Sequence, residues 1–215
     1  MRLYGYWRSS SSWRVRIALG LKGLAYEHVP VHLLKDGGEQ HSEGYRALNP
    51  MRTVPLLEVS EGGRVVRLAQ SMAIIEYLEE RHPSPPLLPG GPVERARVRM
   101  LAELMNSGIQ PLHNLSVMQR IKNELHGDDK AWSAYWIDRG LTSLRALVQE
   151  SAGRYCVGDT VSLADVFLVP QLYAARRFGV DLGSYGLLTR IEAECAGLSA
   201  FQAAHAERQP DAVPA

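Results

Sequence analysis

Four consecutive serines, Ser9-Ser10-Ser11-Ser12, stand between an apolar strand-like segment and a helical one. A hydroxyl-rich helix start combines side-chain donors, unpaired backbone N–H groups and the positive end of the helix dipole. That combination suits an anion such as a thiolate or a carboxylate. The same serines also describe an ordinary N-cap with polar neighbours, because serine is a preferred capping residue. A second candidate is Thr53-Val54-Pro55. Proline at the head of a strand is compatible with a cis peptide bond. It leaves the Val54 backbone N–H and C=O available to an extended peptide, as in strand addition. An ordinary edge-strand proline is the plainer alternative. The third is Gln70-Ser71, a further helix start suited to a carboxylate, or a simple cap. Together these suit a short acidic peptide that carries a thiol.

The elements that must position them follow from periodicity. Residues 3–6 read as a strand. Residues 9–22 read as a helix, since Trp13, Ile17 and Leu21 recur on one face while Arg14, Arg16 and Lys22 can reach solvent. Gly23 ends it, and residues 26–31 form a second strand whose Pro30 marks an edge or a bulge. A strand–helix–strand unit of this length is right-handed. Residues 36–48 read as a loop and a short irregular helix. Residues 54–59 and 64–68 form a hairpin across Ser60-Glu61-Gly62-Gly63. Residues 72–81 form a helix with Ile74, Ile75 and Leu78 on one face. The order is β-α-β-α-β-β-α, an α/β domain at residues 1–82.

Residues 82–92 hold five prolines and two glycines and read as a linker. A helical domain follows at 92–215. Its first helix, 93–117, is interrupted at Gly108 and Pro111. A second helix spans 129–150. Ser162-Leu163-Ala164-Asp165 opens a third as a capping box, and weaker patterns cover 187–206. The last nine residues read as a loose tail.

Composition removes several classes. The chain has 215 residues, with 24 basic and 23 acidic side chains, a net charge of +1, and 46% apolar residues. Nothing marks a nucleic-acid footprint or a disordered chain. No apolar run approaches the roughly 18–20 residues of a membrane span, and residues 1–24 show no leader pattern, so a cytoplasmic protein is expected. Cys156 and Cys195 cannot build a disulfide framework, and no spacing suits a metal site. The seven histidines form no catalytic grouping; His113 is placed near the cleft and the others at the surface. Trp132, Tyr135 and Trp136 read as packing residues.

The run Ser-Ser-Ser-Ser-Trp-Arg-Val-Arg-Ile-Ala-Leu at 9–19 resembles the Ser-Ser-Cys-Ser-Trp-Arg-Val-Arg motif of the zeta-class glutathione transferases. Further matches are Lys35-Asp36-Gly37-Gly38, Ala47-Leu48-Asn49-Pro50-Met51, Ala73-Ile74-Ile75-Glu76-Tyr77-Leu78-Glu79-Glu80, Gly108-Ile109-Gln110-Pro111-Leu112, Tyr155-Cys156-Val157-Gly158-Asp159 and Leu168-Val169-Pro170-Gln171. The resemblance spans essentially the whole chain. It implies a thioredoxin-like N-terminal domain, an all-α C-terminal domain and a homodimer.

It also implies glutathione as cofactor and cis–trans isomerisation of maleylacetoacetate to fumarylacetoacetate, in tyrosine and phenylalanine catabolism. Maleylpyruvate isomerisation, dehalogenation of α-halo acids and non-catalytic glutathione binding are the alternatives. By the same resemblance Ser9 contacts the glutathione sulfur, with Ser10 and Ser11 as further donors. Gln40, Val54, Pro55, Gln70, Ser71, Gln110 and Asn114 lie on the glutathione side, Gln110 being turned toward the cleft by Pro111. Arg8 and Arg177 are the candidates for the dicarboxylate substrate, because a guanidinium grips carboxylates in bidentate fashion. Arg176 is equally a solvated helix residue. One departure stands out: the family has cysteine where this chain has Ser11. Serine is a poor nucleophile without an adjacent base.

Overall fold

A computed structural model of the chain describes residues 1–213. It divides into two compact units. One comprises Met1–Pro85 together with the segment from Ser199 onward, and the other comprises Pro86–Leu198.

The first unit is built on four strands: β1 (Arg2–Gly5), β2 (Glu27–Pro30), β3 (Leu56–Glu61) and β4 (Arg64–Ala69). Their spatial order is β2-β1-β3-β4. β2 runs parallel to β1, and β3 and β4 are antiparallel. The parallel pair needs a crossover, supplied by helix α1 (Ser10–Leu21). β3 and β4 need only the tight turn at Gly62 and Gly63, whose φ of 56° and 77° are left-handed. Pro30 lies on an edge strand, where a missing N–H is tolerated. The segment between β2 and β3 makes two short 3-10 turns, Lys35–Gly37 and Glu39–His41, then helix α2 (Glu43–Leu48). Helix α3 (Ser71–Arg81) completes the β-α-β-α-β-β-α order.

Three basic residues of α1 and its cap depart from expectation. Arg14, Arg16 and Lys22 are buried rather than solvated. The reason is that α1 packs against both α3 and a late helix, α9 (Ser199–Ala204), which covers the face assigned to solvent. Lys22 and Arg16 are satisfied locally. Lys22 Nζ donates to Glu79 Oε2 at 2.7 Å, to the His82 carbonyl at 2.6 Å and to the Pro85 carbonyl at 3.0 Å. An ammonium has three donors, and all three are used. Arg16 donates to the carbonyls of Ala204, Tyr6 and Trp7 at 3.2, 3.4 and 2.8 Å. Burial lowers the Arg16 pKa to about 10, so it remains charged at neutral pH.

The end of the chain is likewise not a loose tail as far as it is described. A Cβ on Gly20 would stand 3.2 Å from the Ala200 Cβ, so α1 and α9 approach closely at the glycine. Trp13 packs edge-on to His205 at 5.0 Å, and Gln209 Nε2 donates to the carbonyls of Ala203 and His205. The helical domain expected over 92–215 therefore gives up its last segment to the first unit. Burial of Trp13 and of the Arg16 guanidinium requires that cover, and local periodicity carries no record of it.

The second unit is helical. Its helices are α4 (Pro92–Glu103), α5 (Leu115–Asn123), α6 (Asp129–Gln149), α7 (Leu163–Arg177) and α8 (Gly186–Ala196). The interruption expected near Gly108 and Pro111 is a π-helical turn, Leu104–Ile109, followed by a 3-10 turn, Gln110–His113. Helix α6 passes close to it: a Cβ on Gly140 would sit 2.3 Å from Ile109 Cγ1. The capping box that starts α7 is formed. Asp165 Oδ2 accepts from the Ser162 amide and hydroxyl at 2.8 and 2.9 Å, while Oδ1 accepts from the Cys156 amide at 2.8 Å. Trp132 and Tyr135 stack beside Trp136 but are 39% and 60% exposed, against the expectation of packing residues. Among the described residues, no helix is long and apolar enough to cross a membrane.

Substituting Lys22→Met should lower stability by about 3 kcal/mol or more, because it strips the Glu79 carboxylate of its buried cation and two carbonyls of their donor. Urea unfolding measures the change. An effect under about 1 kcal/mol would mean that water reaches this group.

Candidate active site

Strand register brings the chemistry-bearing residues of the first unit to one end of the sheet. Tyr4 pairs with Leu56, and Leu56 pairs with Ala69. The C-terminal end of β1, the start of β3 and the end of β4 therefore coincide. Gly5 pairs with Pro30, so β2 ends there as well. The segments that leave these ends carry Ser9, Val54, Gln70 and Gln40.

Ser9 is the N-cap of α1, and its Oγ accepts from the Ser12 amide at 3.2 Å. The capping reading thus holds, and it does not exhaust the hydroxyl: the oxygen accepts in the cap, and the proton is left to donate. Ser12 is buried and turns back to accept from the Tyr6 amide at 3.4 Å. The Ser10 and Ser11 side chains are half-buried, and their hydroxyls make no hydrogen bond to the described residues. No acidic residue occupies the first turn of α1 or of α3, so neither helix dipole is compensated from within its own first turn.

The Val54–Pro55 peptide bond is cis. The Val54 backbone makes no hydrogen bond to the described residues. The carbonyl before it is held firmly. Thr53 O accepts from the Tyr45 hydroxyl at 2.7 Å and from Asn49 Nδ2 at 2.8 Å. Burial pushes the Tyr45 pKa up to about 12, which keeps that hydroxyl a donor. Tyr45 and Asn49 were not singled out from sequence; Asn49 lay in a quoted motif, and Tyr45 carried no signal at all.

Gln70, and not Ser71, is the N-cap of α3. Its φ of 73° is left-handed, a conformation that costs a non-glycine residue about 1 kcal/mol or more and that clusters at ligand sites. Ser71 opens the helix, and its Oγ accepts from the buried Arg14 guanidinium at 3.4 Å. That contact ties the start of α3 to α1. Gln70 is exposed, and its Nε2 reaches Met51 Sδ at 3.3 Å. Gln40 is buried; Nε2 donates to the Leu33 carbonyl at 3.2 Å, while Oε1 has no partner.

The second unit gathers its own candidates. Gln110 is half-buried on the 3-10 turn before α5. Asn114 caps α5, with Oδ1 accepting from the Ser116 amide and hydroxyl, both at 3.2 Å, which leaves its Nδ2 donors. His113 is buried between them, against Gln171 Nε2 at 3.3 Å and the Phe178 ring at 5.6 Å. The two adjacent arginines at the end of α7 part company. Arg176 grips both carboxylate oxygens of Glu192 on α8, whereas Arg177 lies over the Phe178 ring at 5.0 Å. In the first unit, Arg8 is half-buried over the Trp7 ring at 5.0 Å and makes no ion pair with the described residues.

Both cysteines are buried and free. Burial pushes the Cys156 and Cys195 thiols well up, so neither is a thiolate at neutral pH. His28 is not a surface residue. Its Nε2 lies 3.0 Å from Asp211 Oδ1, and Asp211 Oδ2 accepts from the Trp7 amide at 2.9 Å. Burial raises the Asp211 carboxyl, but the His28 hydrogen bond and the Trp7 amide outweigh it and hold the pKa below the usual aspartate range.

A mixed sheet crossed by α1 and closed by α3, two uncompensated helix starts at one sheet end, a free strand-entry backbone between them and a separate helical unit define a glutathione transferase. The family model described as the glutathione S-transferase N-terminal domain matches residues 3–86. Maleylacetoacetate isomerase of Mus musculus is 50% identical over 209 residues, covering 97% of this chain and 94% of its own. Crystalline maleylacetoacetate isomerase from Anaeromyxobacter dehalogenans, with glutathione in its active site, is 55% identical with a TM-score of 0.91, covering 99% and 97% of the two chains. Another crystal structure of that protein holds dicarboxyethyl glutathione and citrate, at 53% identity, a TM-score of 0.90 and the same coverage, 99% and 97%. A bacterial zeta-class maleyl pyruvate isomerase is 43% identical with a TM-score of 0.93, covering 99% and 100%. The chain belongs to the zeta-class glutathione transferases, the family of the maleylacetoacetate isomerases.

Because folding lowers the Asp211 pKa, its ionised form is favoured in the native state. The associated stability is complete above about pH 4, the range of an unfolded aspartate, and is lost as acid carries the pH down through the lower folded value. The Asp211→Asn protein should therefore show a flatter loss of stability on acidification than the unsubstituted protein. Thermal melts across the acid range make the comparison, and parallel curves would show that Asp211 titrates alike in both states.

Proposed function

We propose that this protein is a glutathione-dependent isomerase that converts maleylacetoacetate to fumarylacetoacetate. The observation that carries the reading is the free Val54 backbone between two uncompensated helix starts, at one end of one sheet. That set fits glutathione. Val54 offers an N–H and a C=O to a peptide bond, and the Gln70-Ser71 start of α3 offers N–H groups to a carboxylate. The orphaned Gln40 Oε1 offers an acceptor to an ammonium group. In the second unit, Gln110 and the Asn114 Nδ2 group supply further polar contacts.

Bound glutathione would supply a thiolate that adds reversibly to the cis double bond and so permits rotation about it. The chain has three tasks around that chemistry. The first is ionisation: a free thiol has a pKa of about 8.5. The Ser9 O–H and the N-terminus of α1 favour the charged form, with Ser10 and Ser11 as additional donors. The second is orientation of a dianionic substrate. Arg8 suits it, lying over the Trp7 ring with no carboxylate among its described contacts, and Arg177 is assigned to it on the family resemblance, whereas Arg176 is engaged by Glu192. The third is stabilisation of the negative charge that develops on a substrate oxygen, a task for the same guanidinium groups. Ser11 forms no covalent bond in this scheme, so its replacement of the family cysteine does not remove the activity.

A second reading is maleylpyruvate isomerisation, favoured by the 43% identity to the zeta-class maleyl pyruvate isomerase. It shares every residue assignment above. We also infer a cytoplasmic homodimer acting in tyrosine and phenylalanine catabolism, on the family resemblance.

Product formation from maleylacetoacetate, with and without glutathione, tests the reading: turnover that requires glutathione is expected. Faster conversion of maleylpyruvate would give the second reading precedence, and glutathione binding without turnover of either would overturn both. Within the serine run, Ser9→Ala should lower turnover about ten- to a hundredfold, the worth of a hydrogen bond to a charged group. Ser11→Ala should have a smaller effect, and Ser11→Cys should match or exceed the parent. Equal losses at positions 9 and 11 would remove Ser9 from its role.

A further inference from the structure

The turn that presents Arg8 and Ser9 is held from both sides of its backbone. The Trp7 amide donates to Asp211 Oδ2 at 2.9 Å, and the Trp7 carbonyl accepts from Arg16 Nη2 at 2.8 Å. The Tyr6 carbonyl accepts from the Ser9 amide at 3.0 Å and from Arg16 Nη1 at 3.4 Å. Three of these four bonds involve a charged group, and such bonds are about twice as strong as neutral ones. Asp211 is itself fixed by His28 Nε2 at 3.0 Å, and the two side chains are only 10% and 11% exposed. Asp211 belongs to the last described stretch of the chain, 204 residues away from Trp7.

The Ser9 hydroxyl needs this rigidity. It must accept from the Ser12 amide and donate to a bound sulfur at once, and a hydroxyl meets both demands only in one rotamer and one backbone placement. Tolerances for such a group are about 0.5 Å. A turn released at Trp7 would keep the cap, which is local to α1, while the direction of the remaining proton drifted.

We propose that Asp211 is a positioning residue for the glutathione site: through the Trp7 amide it sets the turn that carries Arg8 and Ser9, and the C-terminal segment is thereby a working part of the site. This rests on the assignment of Ser9 given under the proposed function. The titratable groups facing Asp211 are His28 from β2 and Arg16 from α1, with Tyr26 next to Arg16. Asp211 touches no substrate atom in this proposal. Its influence is on how well the sulfur is held and ionised.

The test uses the full chain with Asp211→Ala, Asp211→Asn and Ser9→Ala. Two quantities are read: the ultraviolet titration of the bound glutathione thiolate, and KM for glutathione against kcat. Asp211→Ala should raise the apparent thiolate pKa and raise KM for glutathione about five- to tenfold, with kcat at saturating glutathione changing less. Asp211→Asn keeps an acceptor for the Trp7 amide and a donor for the imidazole, and should recover most of the loss. If Asp211→Ala does not fold, Asp211→Glu displaces the carboxylate by one methylene and carries the same expectation. A folded Asp211→Ala or Asp211→Glu protein with unchanged titration and KM, beside a Ser9→Ala protein whose titration shifts, overturns the positioning role and leaves Ser9 intact. A Ser9→Ala protein with an unshifted titration overturns the Ser9 assignment, and the positioning role with it.

Discussion

The pairing of Tyr4 with Leu56 and of Leu56 with Ala69 is the constraint on which the site depends. A sheet of this connectivity could place its chain ends at opposite edges. Here β1 ends, β3 begins and β4 ends at the same level, and the parallel partner β2 ends there too. A slip of one residue in β3 would turn every one of its side chains to the other face. It would expose Leu57 and Val59, so burial of the core enforces the alignment. Three segments distant in sequence therefore deliver unpaired backbone groups to one place without any functional residue having to specify it.

Around that frame the buried charges act as ties between segments. Lys22 joins α1 to the end of α3 and the residues after it; Arg14 joins α1 to the start of α3; Arg16 joins α1 to the β1 turn and to α9. A buried charge offers no general advantage over an apolar residue of the same volume. What it does is require particular partners at particular places, because an unmatched cation in the interior is strongly unfavourable. The two helix starts and the serine turn are held by this requirement, which apolar packing alone would satisfy in more than one arrangement.

The second unit shows the same division between scaffold and exposed chemistry. Asp165 spends both oxygens on the α7 capping box and the Cys156 amide, and Arg176 spends its guanidinium on Glu192. Beside the buried His113, the Gln110 side chain and the Asn114 Nδ2 group make no hydrogen bond to the described residues. The π-helical turn before Gln110 depends on Gly140, whose missing side chain makes room for Ile109. Adjacent positions thus divide between polar groups that hold the fold and polar groups that the fold leaves unengaged.

Much of this was legible in the amino-acid sequence. Strand alternation, the Gly62-Gly63 turn, the Ser162–Asp165 capping box and the break at Gly108 and Pro111 are local signals, and local hydrogen bonding decides them. The serine run, Val54-Pro55 and Gln70-Ser71 were readable as candidates for the same reason, since helix starts and strand ends announce themselves in sequence. The burial of Arg14, Arg16 and Lys22 and the capture of the C-terminal segment through Asp211 and His28 were not. Each depends on a partner dozens to hundreds of residues away, or on a neighbouring helix that covers a face which looks solvated by its own periodicity. Sequence alone determined which groups this protein can use; only the tertiary structure decided which of them are consumed in holding the fold, because a charge or a hydroxyl is free or committed according to what long-range packing brings against it.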